Sequence, residues 1–168
     1  MPHRELSQIP QEELLTFCSR SLYTLDGLWF VTSEEEHGFE KALELDIEVW
    51  NRLTRIQAKR VQEFFAVEED NPLQAVMSIM SLDPLLTVFK IKVVELTENK
   101  VVFRFTDCPP PQKARLRDGK PEMSCQKLGL QTYQAYADVV DPGIRLSCRH
   151  CPPDLHPPDY WCEWQFER

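Results

Sequence analysis

Residues 148 to 162, CRHCPPDLHPPDYWC, hold three cysteines, two histidines and four prolines in fifteen positions. A C-x2-C pair such as Cys148 and Cys151 offers a metal two ligands from one turn, with intervening amides to stabilise the sulfur charge. Cys125 and Cys162 are the candidates to complete a four-thiolate set, which suits zinc or an iron–sulfur cluster. Cys108 is an alternate ligand, and His150 or His156 could replace one cysteine in a Cys3His set. The prolines fit this reading because they reduce the freedom lost when the loop orders around its ligands. Two other readings stand beside it: a redox dithiol at Cys148 and Cys151, and buried structural thiols. Cys125, expected in the first turn of a helix, would there have a lowered pKa and could serve as a nucleophile, with His150 or His156 as base.

A second set of groups lies in the first third of the chain. Glu34 and His37 have the spacing by which a helix presents carboxylate and imidazole to one side, as in di-iron bundles, but such sites need two copies of the motif and one is present. Asp26 and Asp46 each interrupt an apolar neighbourhood, LDGLWF and LELDIEVW. A half-buried carboxylate there could cap a helix, pair with Arg55 or Arg60, or line a pocket; structural pairing is the expectation. The basic island KARLRDGK, Lys113 to Lys120, reads as a solvated loop, with an anionic ligand as the sharper alternative. Cys18 sits on an apolar helical face and is expected in the core.

The elements that must position these residues follow from hydrophobic period. From Ile9 the apolar residues Leu14, Leu15, Phe17, Cys18, Leu22, Leu25, Leu28, Trp29 and Phe30 recur at helical spacing, and Gly38 marks a stop. In the next helix Ala42, Leu45, Val49, Leu53, Ile56 and Arg60 form one stripe, leaving Glu44, Glu48, Arg52 and Lys59 to water. A short helix begins at Pro72 behind Asn71, a cap and first-turn pair. The period then changes to two: Thr87 to Leu96 and Val101 to Cys108 form a hairpin around Glu98–Lys100. After a loop, a helix from about Ser124 to Val140 leads into strands GIRLSC and DYWCEWQFE. The expected fold is α+β: N-terminal helices on a four-stranded antiparallel sheet in β-β-α-β-β order. Strands three and four form a hairpin, so Cys148, Cys151 and Cys162 fall in one neighbourhood. A helix of about 16 residues spans roughly 24 Å, enough to return along the sheet and bring Cys108 and Cys125 to the same rim.

Composition narrows the classes. With 168 residues, 42% of them hydrophobic, one domain over residues 1–168 is expected, helical over 1–84 and sheet-plus-helix over 85–168. A formal charge of −8 disfavours nucleic-acid binding. No apolar run approaches a bilayer span and the first residues lack a signal-peptide pattern, so a cytoplasmic protein without membrane attachment is expected. Six cysteines in such a chain favour metal or redox chemistry over a disulfide framework.

LDGLWF, EEEHGFEKALELDIEVW, RIQAKR and the late CxxCPPD…YWCEWQF together resemble a family of bacterial and archaeal cytosolic proteins catalogued as a domain of unknown function. The resemblance covers nearly the whole chain. More distantly, the chain is similar to the family of L-2-amino-thiazoline-4-carboxylic acid hydrolase and to small-molecule-binding V4R domains. Those likenesses imply an α+β fold and a ligand pocket between helices and sheet, and they transfer no catalytic set. Three functional expectations follow. The first is a zinc or iron–sulfur protein using Cys125, Cys148, Cys151 and Cys162. The second is a hydrolase of a small amide-like or sulfur-containing substrate, working through a cysteine or a metal-bound water. The third is a small-molecule-binding module or homodimer built on Trp29, Phe30, Trp50, Phe64 and Phe65.

Overall fold

The computed structural model describes residues 5–107 and 110–168. Its helices are α1 (Gln11–His37), α2 (Phe39–Phe64), α3 (Pro72–Leu82), α4 (Pro110–Arg117) and α5 (Cys125–Val140). The strands are β1 (Ile91–Leu96), β2 (Lys100–Phe105), β3 (Arg145–His150) and β4 (Cys162–Glu167), all antiparallel, in the order β1-β2-β4-β3. The class is α+β, as the change of period implied. Among the described residues no helix is long and apolar enough to cross a membrane.

Local chemistry sets the breaks. α1 ends and α2 begins at Gly38, whose φ of 82° and ψ of 162° lie where a side chain is not tolerated, and whose N–H still donates to the Glu34 carbonyl at 2.9 Å. Asn71 caps α3, its Oδ1 accepting from the N–H groups of Leu73 and Gln74, with Pro72 in the first turn. β1 starts later than Thr87 because Pro84–Val88 forms a 3-10 turn, capped by Asp83, whose Oδ1 accepts from the Leu85 N–H at 2.8 Å.

β2 and β4 are the central strands and carry the core. Register places Phe103 opposite Trp164 and Val101 opposite Phe166, so their side chains share one face. α5 lies on that face: the Tyr133 ring stacks on Phe105 at 5.2 Å and meets Trp164 edge-on at 5.1 Å. On the opposite face the register pairs Arg104 with Glu163, and Glu163 also takes Arg149 at 3.3 Å, while the Arg104 guanidinium lies 4.2 Å from the Tyr160 ring centre.

Three expectations about the helices are corrected. The buried stripe of α2 is Ala42, Leu43, Asp46, Trp50, Thr54, Ala58 and Val61, whereas Val49 and Ile56 are exposed. In α1 the buried residues are Ser19, Tyr23 and Phe30; Cys18 is exposed, as are Phe17, Leu25, Leu28 and Trp29. The stretch expected to be a loop before α5 contains α4, because prolines in a first turn satisfy rather than oppose a helix start.

α5 approaches the sheet closely at Gly129. A Cβ there would stand 2.6 Å from Trp164 Cζ2 and closer still to Cη2. Gly129→Ala should therefore destabilise by about 1–3 kcal/mol through overpacking, outweighing the better helix propensity of alanine. The check is a denaturant melt: a lower midpoint at unchanged slope is expected, and an unchanged or higher midpoint would show that α5 does not rest on Trp164 in this way.

Candidate functional site

Two features of the fold gather reactive side chains. The first is at one end of the sheet, beneath the start of α5. The Cys125 N–H donates to the Pro152 carbonyl at 3.2 Å, tying the helix start to the loop after β3. Register sets Cys148 opposite Trp164 and Cys162 opposite Phe105, so both sulfurs lie on the α5 side. Cys151 is buried beside them, hydrogen-bonded to Cys148 and within electrostatic reach of Cys125 and Cys162.

Burial pushes all four thiols up, Cys125 to about 12 and Cys162 to about 11, the latter opposed by the Trp164 side chain. This overturns the expectation of a lowered Cys125 pKa: desolvation outweighs the helix N-terminus, and the thiol stays protonated near neutral pH. Cys108 lies outside the described residues. His150 reaches Cys148 through its backbone, which hydrogen-bonds to the sulfur, while the two imidazoles pack elsewhere. His150 pairs with Glu163 after a bulge and packs edge-on to Tyr160, and His156 lies over Trp161 at 4.3 Å. Among the described residues, no three His, Cys, Asp or Glu side chains stand as a ligand set for a metal ion.

The second feature is a cavity of about 650 Å³ walled by α1, α2, α4 and α5. Its surface is largely apolar, with Tyr23, Phe30, Trp50, Met123, Leu128 and Tyr133. Cys125 touches both features, since it lines the cavity as well. One wall is held by Gln112, which is buried and reads both backbone groups of Met123, donating to its carbonyl at 3.2 Å and accepting from its N–H at 3.1 Å. Glu34 holds two cations of that wall. It takes Arg115 through both oxygens, at 2.9 and 3.3 Å, and Lys120 at 3.0 Å, and the Arg115 bond holds its carboxyl below the usual range. Two cations of the island expected to be solvated are thus engaged, and Glu34 forms no carboxylate–imidazole pair with exposed His37.

Asp26 and Asp46 face the cavity from α1 and α2. They do not pair with arginine: Arg55 goes to Asp138 instead, at 2.6 Å. The Trp50 indole N–H donates to Asp26 Oδ1 at 3.1 Å, and the two carboxyls hydrogen-bond to each other. Burial pushes Asp26 up to about 6, with Trp50 and Asp46 opposing the rise; burial and then the Asp26 charge push Asp46 up to about 7. Asp46 is 3% exposed and its Oδ1 has no hydrogen-bond partner; Thr132 Oγ1, also in the cavity wall, has none either. The sequence signal for this site was each aspartate breaking an apolar run. That the two face each other was not readable, because it depends on the angle at Gly38 between α1 and α2.

The chain belongs to the family of unknown function DUF6125, whose model matches residues 4–168. No curated protein and no solved structure matches it.

The carboxyl pair has a consequence for stability. Both groups bind protons more tightly in the folded chain than at their ordinary value of 3.8, so the folded state holds the extra protons between about pH 4 and pH 7. Their contribution is therefore present at low pH and is lost as pH rises through 6 to 7. Melting temperatures taken from pH 5 to pH 8 should show Asp46→Asn gaining on the parent chain as pH rises. Parallel profiles would mean that Asp46 ionises freely.

Proposed function

We propose that this member of a family of unknown function is a small-molecule-binding protein, whose site is the cavity between α1, α2, α4 and α5. The observation that carries this reading is the cavity itself, about 650 Å³ with a mostly apolar lining and a few converging polar groups. That combination of size, apolar wall and sparse polar anchors is what ligand pockets have. The unpartnered oxygens of Asp46 and Thr132 support it, because buried polar atoms are normally satisfied and both residues line the cavity.

Gly27 provides the test. It lies within α1, lines the cavity, and a Cβ placed on it would meet nothing within 4 Å. Gly27→Leu should fill the cavity while raising helix propensity, for a gain of up to about 1 kcal/mol. Titration with the uncharged dye N-phenyl-1-naphthylamine, followed by fluorescence, should show saturable binding to the parent chain and at least a tenfold loss in the folded variant. Equal binding by both, or none by the parent, would overturn the reading.

A second reading is supported by the four neighbouring thiols. Cys125, Cys148, Cys151 and Cys162 would hold zinc or an iron–sulfur cluster, with their sulfurs turned inward from the positions they take here to about 2.3 Å from a zinc ion. Protein purified without oxygen should then carry near-stoichiometric zinc or iron that the Cys148→Ser, Cys151→Ser double variant lacks. Metal-free protein with freely titrating thiols would leave the group as buried structural cysteines.

A further inference from the structure

Resting on the cavity reading, we infer that the ligand carries a protonated amine on an apolar body, and that the ammonium seats between Asp26 and Asp46 with Thr132 Oγ1 as a further acceptor. The cavity asks for a cation at this end. Two carboxyls share one small region, and what acts on them is burial, the Trp50 N–H and each other; among the described residues no cation is one of these influences. The cations of the opposite wall are occupied, Arg115 and Lys120 by Glu34 and Arg117 by Asp118 at 3.4 Å. A desolvated carboxyl pair without a positive partner is unfavourable, and an ammonium supplies both the charge and up to three donors.

Thr132 points to a ligand independently. A helical threonine commonly returns its hydroxyl to the carbonyl one turn back, yet Thr132 Oγ1 has no partner, and the residue, 8% exposed, lines the cavity. The aromatic surroundings suit the same ligand. Tyr23 and Trp50 stack at 5.5 Å with 13° between planes and both line the cavity, giving the apolar body of such a ligand an aromatic wall to pack against.

The groups facing the pair from each packed element set the pH response. α1 contributes Tyr23 and, farther along, Glu35; α5 contributes Cys125, Tyr133 and Tyr136. Tyr23, Tyr136 and Cys125 are pushed upward and stay neutral below pH 8. Asp83, behind the cavity, bonds to Tyr136, and the α4 side contributes Arg115, Arg117, Asp118 and Lys120, already in ion pairs. The aspartate pair is then what titrates at the ligand. An ammonium that binds the fully ionised pair displaces the proton the pair shares, and that proton passes to the buffer.

The experiment compares phenethylamine with its neutral counterpart phenethyl alcohol by calorimetry on the full chain, in two buffers of different ionisation enthalpy. Expected are preference for the amine, proton release on binding near pH 6, and amine affinity rising about tenfold or more from pH 5 to pH 7 while the alcohol stays flat. Asp46→Asn, or Asp26→Asn should the first fail to fold, should weaken the amine at least tenfold and spare the alcohol. Equal binding of both probes with no proton release, or dye binding without amine binding, overturns the amine inference and leaves the cavity reading intact. If neither probe nor the dye enters, the cavity reading falls and the inference with it.

Discussion

One buried carboxylate organises the helices. Asp83 is fully buried at the end of α3, where its oxygens accept from the Tyr136 hydroxyl at 2.7 Å, the Leu85 N–H at 2.8 Å and Gln57 Nε2 at 3.4 Å. The turn it caps is gripped from the other side by α1, with the Ser19 hydroxyl on the Pro84 carbonyl at 2.6 Å and the Tyr23 hydroxyl on the Leu85 carbonyl at 3.1 Å. Donors from α2, α5 and the turn itself thus meet on one side chain, and α1 is referenced to the same turn. An apolar residue at this position would strand those donors, at about 1–3 kcal/mol each where they stay buried. Because Tyr23 and Tyr136 also line the cavity, the polar hub and the cavity wall are built from the same residues. The space between α1, α2 and α5 is held open by hydrogen bonds, which have direction, rather than by apolar contact, which would collapse it.

How much of this was legible depended on which physical signal marked each element. The central strands announced themselves because alternation in VVFRF and WCEWQF survives burial, and the nearness of Cys148, Cys151 and Cys162 follows from a hairpin whatever its tilt. The helices were legible in extent and not in orientation. In α2 the buried stripe runs through Asp46, Trp50 and Thr54, so a count of aliphatic residues lands about a quarter turn away, on Val49 and Ile56. α1 carries apolar residues nearly all round, and a helix without a polar face gives no phase; the residues that decide it are Ser19 and Tyr23, through hydrogen bonds to a turn more than sixty positions away. α4 was hidden by its prolines, which read equally as loop and as first turn.

The thiol group and the cavity meet at Cys125, the first residue of α5 and part of both. α5 is held at three levels: its start by the Cys125–Pro152 backbone bond, its middle by Gly129 against Trp164, its end by Tyr136 on Asp83. A side chain that changed state at the start of this helix would act on the cavity wall only if α5 moved, and the two lower anchors oppose that. The helix therefore isolates the two regions as much as it joins them.

Retention of the cavity itself requires an argument, since an unfilled apolar volume and a desolvated acid pair are each destabilising. Simple substitutions would remove both: a Cβ placed on Gly27 meets nothing within 4 Å, so a side chain can start there, and an asparagine at position 46 would remove a charge. The chain instead keeps glycine where a side chain can start and carboxyls where burial penalises them. Neither choice improves the packing of α1 on α2, and both become favourable once an occupant fills the volume and supplies donors to Asp46 Oδ1 and Thr132 Oγ1. The stability forgone in the empty chain is then recovered on binding, so the features that weaken the fold are the ones that select its ligand.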